Sequence, residues 1–201
     1  MIPAFLFGGL GCAAAALLLT PAVRRFDVRG FVHVVLAALL GAGAAAIGDS
    51  WLHALALCAA AVGCALLVTV DLRTHRLPRV ILLPTYAVVV PLLVAAATLG
   101  GWWEVLGRAA LAALALGGFY FLLGAISPSG IGFGDVTFAP LLGLVLGWFG
   151  WPHVLAGTLA AFVSGAVAAL ILMVLRRADP KTRIAFGPWM VVGAVLALAL
   201  L

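Results

Sequence analysis

The chain has 201 residues, 67% hydrophobic and 8% charged, with a formal net charge of +5 and a mean hydropathy of +1.33. So short a chain has no means of hiding that much apolar surface from water, which excludes a soluble globular domain and makes the bilayer its solvent. The pI of about 9.9 does not point to nucleic acid, because the basic residues stand in short clusters between apolar runs.

Roughly 20 apolar residues cross a bilayer. On that measure the sequence predicts an all-α polytopic membrane bundle of about eight transmembrane helices. They fall near 2–23, 31–48, 51–70, 80–99, 105–126, 136–150, 153–175 and 184–201. The sixth is short and bounded by Pro152. The turns leave no room for a separate soluble or zinc-binding domain, so residues 1–201 are expected to form a single membrane-embedded domain.

The first segment is followed by Arg24, Arg25 and Arg29. It lacks a basic start, so it reads as a retained span and not a cleaved signal peptide. The third is followed by Arg73, Arg76 and Arg79, and the seventh by Arg176, Arg177, Lys181 and Arg183. With eight spans these loops share one side and hold ten of the eleven Lys and Arg residues, leaving Arg108 opposite. The positive-inside rule then expects the basic loops in the cytoplasm and both termini outside.

Cys12, Cys58 and Cys64 lie in apolar spans without CxxC spacing. They read as small packing residues, not as zinc ligands or a disulfide framework. Trp51, Trp102, Trp103, Trp148 and Trp151 fall near the outer face and read as interfacial anchors. Gly41, Ala45, Gly117 and Gly165 read as sites of close helix packing.

Six residues are acidic. Asp27 and Asp179 sit among cations and balance local charge. Asp49 and Glu104 lie in outer turns, where Asp49 is placed to cap the following span. Asp71 follows "LLVTV" and opens "DLRTHRLP". Alone it reads as a boundary carboxylate, solvated or paired with Arg73 or Arg76. Asp135 lies in "SGIGFGDVTF". Alone it reads as a helix N-cap whose glycines make a tight turn.

Together the two acids read differently. Two spans separate them, and two crossings return the chain to the cytoplasmic side. Carboxylates that share a site hold one proton between them. One then acts as general base on a water while the other protonates the scissile carbonyl, with pKa values that belong to the pair. Gly132 and Gly134 lack a Cβ, so an extended peptide can approach the backbone closely. The expected substrate-binding loop is Gly132, Phe133 and Gly134. This chemistry needs neither metal nor cofactor. A small proton- or cation-coupled transporter also keeps carboxylates in the membrane. It would place them in broken helices near the midplane, whereas Asp71 and Asp135 fall at the ends of spans.

"GFGD" before an apolar helix resembles the GxGD signature of membrane aspartic proteases. More narrowly, the chain resembles the type IV prepilin peptidases. Asp71 is followed by "LRTHR" and then Leu77-Pro78, as their first aspartate is followed by five residues and an Ile-Pro or Leu-Pro. Asp135 is followed by "LLGLVLGWFGW" at 141–151, and "IAFGPWMVVGA" runs from Ile184 to Ala194. The resemblance covers roughly residues 55–195 and carries Asp71 and Asp135 over as the catalytic pair. It implies an aspartic endopeptidase that removes the leader of prepilins or pseudopilins at the cytoplasmic face of a prokaryotic cell membrane. The implied partners are that substrate and the lipid bilayer, not nucleic acid; the oligomeric state stays open. A broader GxGD intramembrane protease is the alternative within the enzyme class.

The chain also departs from the family's pattern. Thr137 stands where many relatives have lysine, and Ala185 where proline is usual. Long bifunctional members carry a zinc-bearing insert with two CxxC pairs between their first two spans and methylate the new N-terminus with S-adenosylmethionine. Here that loop is about "RRFDVRG", so no zinc-bearing insert and no cofactor for peptidase activity are expected, and S-adenosylmethionine use is left open. His75 reads as a solvated loop residue, while Gly187 and Pro188 shape the start of the last span.

Overall fold

The computed structural model describes residues 2–26, 28, 30–126, 132–175 and 185–201. Among the described residues every regular element is an α-helix. In chain order they are α1 Ile2–Leu18, α2 Thr20–Arg24, α3 Val32–Ala46, α4 Trp51–Thr74, α5 Arg79–Gly100, α6 Trp103–Ile126, α7 Phe133–Phe149, α8 Trp151–Val174 and α9 Gly187–Leu200. Helices α4, α5, α6 and α8 are long and apolar enough to cross a membrane, and α1, α3, α7 and α9 are shorter apolar helices. This is a polytopic helical membrane bundle, the arrangement in which each segment satisfies its own backbone polar groups.

The expected segments correspond to these helices, with several bounds shifted. The first is broken: α1 stops at Leu18 and α2 restarts at Thr20 with Pro21 in its first turn. Proline lacks an N–H and its ring crowds the carbonyl four residues back, which ends the preceding run. The third segment extends to Thr74, so Asp71 lies inside α4 and not beyond it.

The chain divides into two compact units, Met1–Leu106 and Gly107–Leu201. In the first, α4 packs against α1, α3 and α5. Residues 60–71 of α4 are buried without a break, as an apolar helix enclosed by others must be. A Cβ added at Gly8 would collide with Ala45, and one added at Gly41 would collide with Cys12. Small residues thus bring the α1 and α3 backbones together. The thiols pack into the same seam: Cys12 Sγ lies 3.7 Å from the Cys58 carbonyl, and Cys58 Sγ lies 3.7 Å from that of Gly41.

Ser50, not Asp49, caps α4. Its extended backbone (φ −146, ψ 166) lets Oγ accept the His53 N–H at 3.2 Å. Asp49 instead sets its carboxylate 3.1 Å from Nδ1 of the buried His53. At the far end of α5, Gly101 takes φ 69 and donates to the Ala97 carbonyl, a left-handed cap that glycine adopts without steric cost.

In the second unit, α7 packs on α8 and α9, and α8 on α9. Gly143 and Gly147 of α7 lie against Ala109, Ala112 and Ala113 of α6. Of the other expected packing positions, Gly117 meets Pro140 and Gly165 meets Phe186. Arg108 ties α6 to the end of α7. Its Nε donates to the Gly147 carbonyl at 2.9 Å and its Nη2 to that of Trp148 at 2.5 Å. The last carbonyls of a helix have no partner within it, and a cation there complements the helix dipole. Trp148, expected at the outer interface, is buried in the core, whereas Trp51, Trp103 and Trp151 are exposed.

Candidate active site

Asp71 belongs to the first unit. It is buried, one turn before the end of α4. Its carbonyl accepts the His75 N–H at 2.8 Å, and His75 closes the helix in a left-handed conformation at φ 50. Few non-glycine residues take that conformation, and histidine is among those enriched there. His75 is exposed, as expected of a loop histidine, but it also forms the turn. Pro78 then caps α5 in an extended conformation (φ −71, ψ 128). "DLRTHRLP" is therefore a tight corner between two helices, with the acid on the buried side and Arg73 and Arg76 exposed.

Asp135 belongs to the second unit and is also buried. It is not the N-cap of α7. Gly132 holds that position, and Asp135 stands three residues further, inside the first turn. Its Oδ2 accepts the Gly132 N–H at 3.1 Å, while its own N–H donates to the Gly132 carbonyl at 3.0 Å. This is one half of a capping box, since glycine has no side chain to return the bond. The positive end of the helix dipole favours a carboxylate here.

Gly132 has φ −73 and ψ 149, a backbone open to any residue. The space is tight, however: an added Cβ would stand 3.3 Å from Asp135 Oδ2, so the carboxylate would have to shift by a few tenths of an ångström. The expected substrate-loop residues Gly132, Phe133 and Gly134 thus form one turn with Asp135. Phe133 is exposed, and the Gly134 carbonyl accepts the Thr137 hydroxyl at 2.9 Å. The Thr137 hydroxyl is directed to the backbone of its own helix. Residues 129–131 of the glycine-rich stretch lie outside the described residues.

Two aromatic side chains that sequence reasoning passed over, Phe186 of the third motif and Tyr120 of α6, lie together. Ile184 lies outside the described residues, and Pro188 sits in the first turn of α9 as expected. Phe186 packs 5.2 Å from Phe162 and 6.2 Å from Tyr120, while Tyr120 stacks on Phe162 at 5.8 Å with an interplanar angle of 18°. Tyr120 is buried. The available signal was a phenol in the middle of an apolar span, where a hydroxyl requires a reason. Among the described residues, no three His, Cys, Asp or Glu side chains gather to hold a metal ion.

The comparisons with known proteins point one way. The type IV leader peptidase family matches residues 58–174, more than half of the chain and a range that includes both Asp71 and Asp135. The prepilin leader peptidase/N-methyltransferase of Pectobacterium carotovorum subsp. carotovorum is 36% identical over 74 residues, which is 37% of this chain. The match spans 25% of that relative's length. No solved structure matches the chain. With more than half of its length matched, the chain belongs to the type IV leader peptidase family.

Proposed function

We propose that the protein is an aspartic endopeptidase that removes the leader from type IV prepilins or pseudopilins, with Asp71 and Asp135 as its catalytic pair. The observation that carries this reading is the position of the two acids along the chain. Asp71 lies one turn before the end of α4, and Asp135 lies in the first turn of α7. Between them stand α5 and α6, each long and apolar enough to cross a membrane. Two crossings return the chain to the face it left, so both acids belong to one face. The basic loops support the cytoplasmic face for both acids and the outer side for the termini.

The proposed chemistry follows from placing two carboxylates in one site. They share a proton at neutral pH. The ionised member takes a proton from water as the water attacks the scissile carbonyl. The protonated member donates to the carbonyl oxygen, and the tetrahedral intermediate collapses with proton transfer to the leaving amine. Every proton is supplied by the pair or the water, so peptidase activity is assigned no cofactor. Phe133, exposed two residues before Asp135, is assigned with Gly132 and Gly134 to the turn that receives the substrate.

The test is cleavage of a co-expressed prepilin by wild type, Asp71→Asn and Asp135→Asn. Each variant keeps the shape of the side chain and removes its ionisation. Both are expected to abolish leader removal while still inserting in the membrane. Normal processing by either inserted variant would remove the pair from the mechanism. Thiol labelling of Arg76→Cys and Ser129→Cys tests the sidedness, and labelling from opposite sides of the membrane would separate the acids. Ion uptake lost in the same variants, with cleavage never observed, would favour the transporter reading.

A further inference from the structure

The cysteines lack CxxC spacing, yet the fold of the first unit brings two of them together. Cys12 lies in α1 and Cys58 in α4, 46 positions apart. Both meet Gly41 of α3. Cys12 Sγ fills the space that a Cβ at Gly41 would take, and Cys58 Sγ donates to the Gly41 carbonyl at 3.7 Å. The Cys12 thiol donates in turn to the Cys58 carbonyl at 3.7 Å, and the two side chains interact with each other. Both are free thiols.

The pair can also be reached. Cys12 and Cys58 line a cavity of about 1130 Å³ bounded by α1, α4 and α5. Leu55 and Val88, which line it too, are exposed, so the cavity opens on the surface of the unit. Cys58 is half-buried, whereas Cys12 is buried behind it. Cys64, the third thiol, is buried and does not line the cavity. Cys58 stands about 10 Å along α4 from Trp51, well inside a hydrocarbon core of roughly 30 Å. At that depth an apolar oxidant has access that an ionic one lacks.

We propose that Cys12 and Cys58 are a membrane-buried dithiol that an apolar hydroperoxide converts to a disulfide, stapling α1 to α4. Cys58, the thiol open to the cavity, attacks the terminal peroxide oxygen. The O–O bond breaks, the thiol proton passes to the departing alkoxide to give the alcohol, and Cys58 becomes a sulfenic acid. Cys12 then attacks the Cys58 sulfur. The S–O bond breaks, and the hydroxyl leaves as water with the Cys12 proton. Two thiols and one hydroperoxide thus give one disulfide, one alcohol and one water, and two electrons pass from sulfur to oxygen. The bond joins positions 46 apart, and a covalent loop restricts the unfolded chain and so favours the folded one. The inference does not depend on the Asp71–Asp135 pair.

The test treats the full chain in lipid nanodiscs with cumene hydroperoxide, then unfolds it, alkylates it with N-ethylmaleimide and measures intact mass and peptides. Untreated wild type should take up one maleimide at each of its three cysteines. Treated wild type should take up one alone, at Cys64, and lose the mass of two hydrogens, with the Cys12 and Cys58 peptides joined. Dithiothreitol should restore all three labels. Cys64→Ala should form the same bridge. Cys12→Ala should stop at a Cys58 sulfenic acid that dimedone traps. The oxidised chain should unfold at a higher temperature than the reduced one, and equal midpoints would refute the staple. Three results on wild type overturn the proposal: all three thiols survive treatment, Cys58 passes to the sulfinic acid without a bridge, or the bridge forms to Cys64 instead.

Discussion

The Asp135 carboxylate accepts the backbone N–H of Gly132 at 3.1 Å, so the acid is tied to the first turn of its own helix. The turn, the glycine and the acid act as one unit. Gly132 gives up a side chain, and Asp135 Oδ2 occupies the space that a Cβ would crowd.

Gly132→Ala should therefore affect chemistry more than folding. The backbone accepts alanine, and the loss at an N-cap is below about 1 kcal/mol. The added methyl shifts the carboxylate by a few tenths of an ångström. Leader cleavage should fall about tenfold, within the range expected when a reacting group is displaced by less than an ångström. Initial rates on a purified prepilin, set beside thermal unfolding, check this. A rate equal to wild type would show that the tie to Gly132 has no part in positioning Asp135.

Arg108→Met should act through stability. It removes two charge-assisted hydrogen bonds to the Gly147 and Trp148 carbonyls, a loss of about 2 kcal/mol. Arg108→Lys should recover only part, because an ammonium does not reproduce the guanidinium's two-carbonyl geometry. Unfolding in micelles with a graded denaturant measures both. Equal stability of wild type and Arg108→Met would mean the cap contributes nothing.

Tyr120 separates the ring from its hydroxyl. Tyr120→Phe keeps the ring stacked on Phe162 and removes only the hydroxyl. It should leave stability within about 1 kcal/mol of wild type. Tyr120→Ala empties a buried aromatic site and should cost about 3–5 kcal/mol. A loss in Tyr120→Phe as large as that in Tyr120→Ala, read by thermal unfolding, would assign the contribution to the hydroxyl and not to the ring.

Ser50→Ala removes the side-chain cap of α4 and should destabilise the first unit by about 1 kcal/mol. Asp49→Asn should cost less, since Asp49 faces water and does not hold the cap. Hydrogen exchange at the His53 amide reports the change directly. Greater protection loss in Asp49→Asn than in Ser50→Ala would reverse the assignment.

Sequence alone determined the membrane class, the helical architecture and the family, because each rests on composition, apolar run length or ordered motifs. It also located the acids near the ends of spans, since charge is confined to the places where apolar runs stop. Local helix geometry was less legible. Asp49 and Ser50 are both good caps, and only the extended backbone at Ser50 chose between them. Asp135 and Gly132 differ in cap potential by side chain, yet the helix begins at the glycine and places the acid inside. Trp148 shares its chemistry with the exposed tryptophans, and its burial follows from the neighbours of α7. The pairing of Arg108 with two carbonyls about forty residues away, and of Phe186 with Tyr120 and Phe162, was decided by tertiary structure. Packing between distant segments leaves no period or spacing in the sequence, because it depends on which faces meet and not on what each face contains.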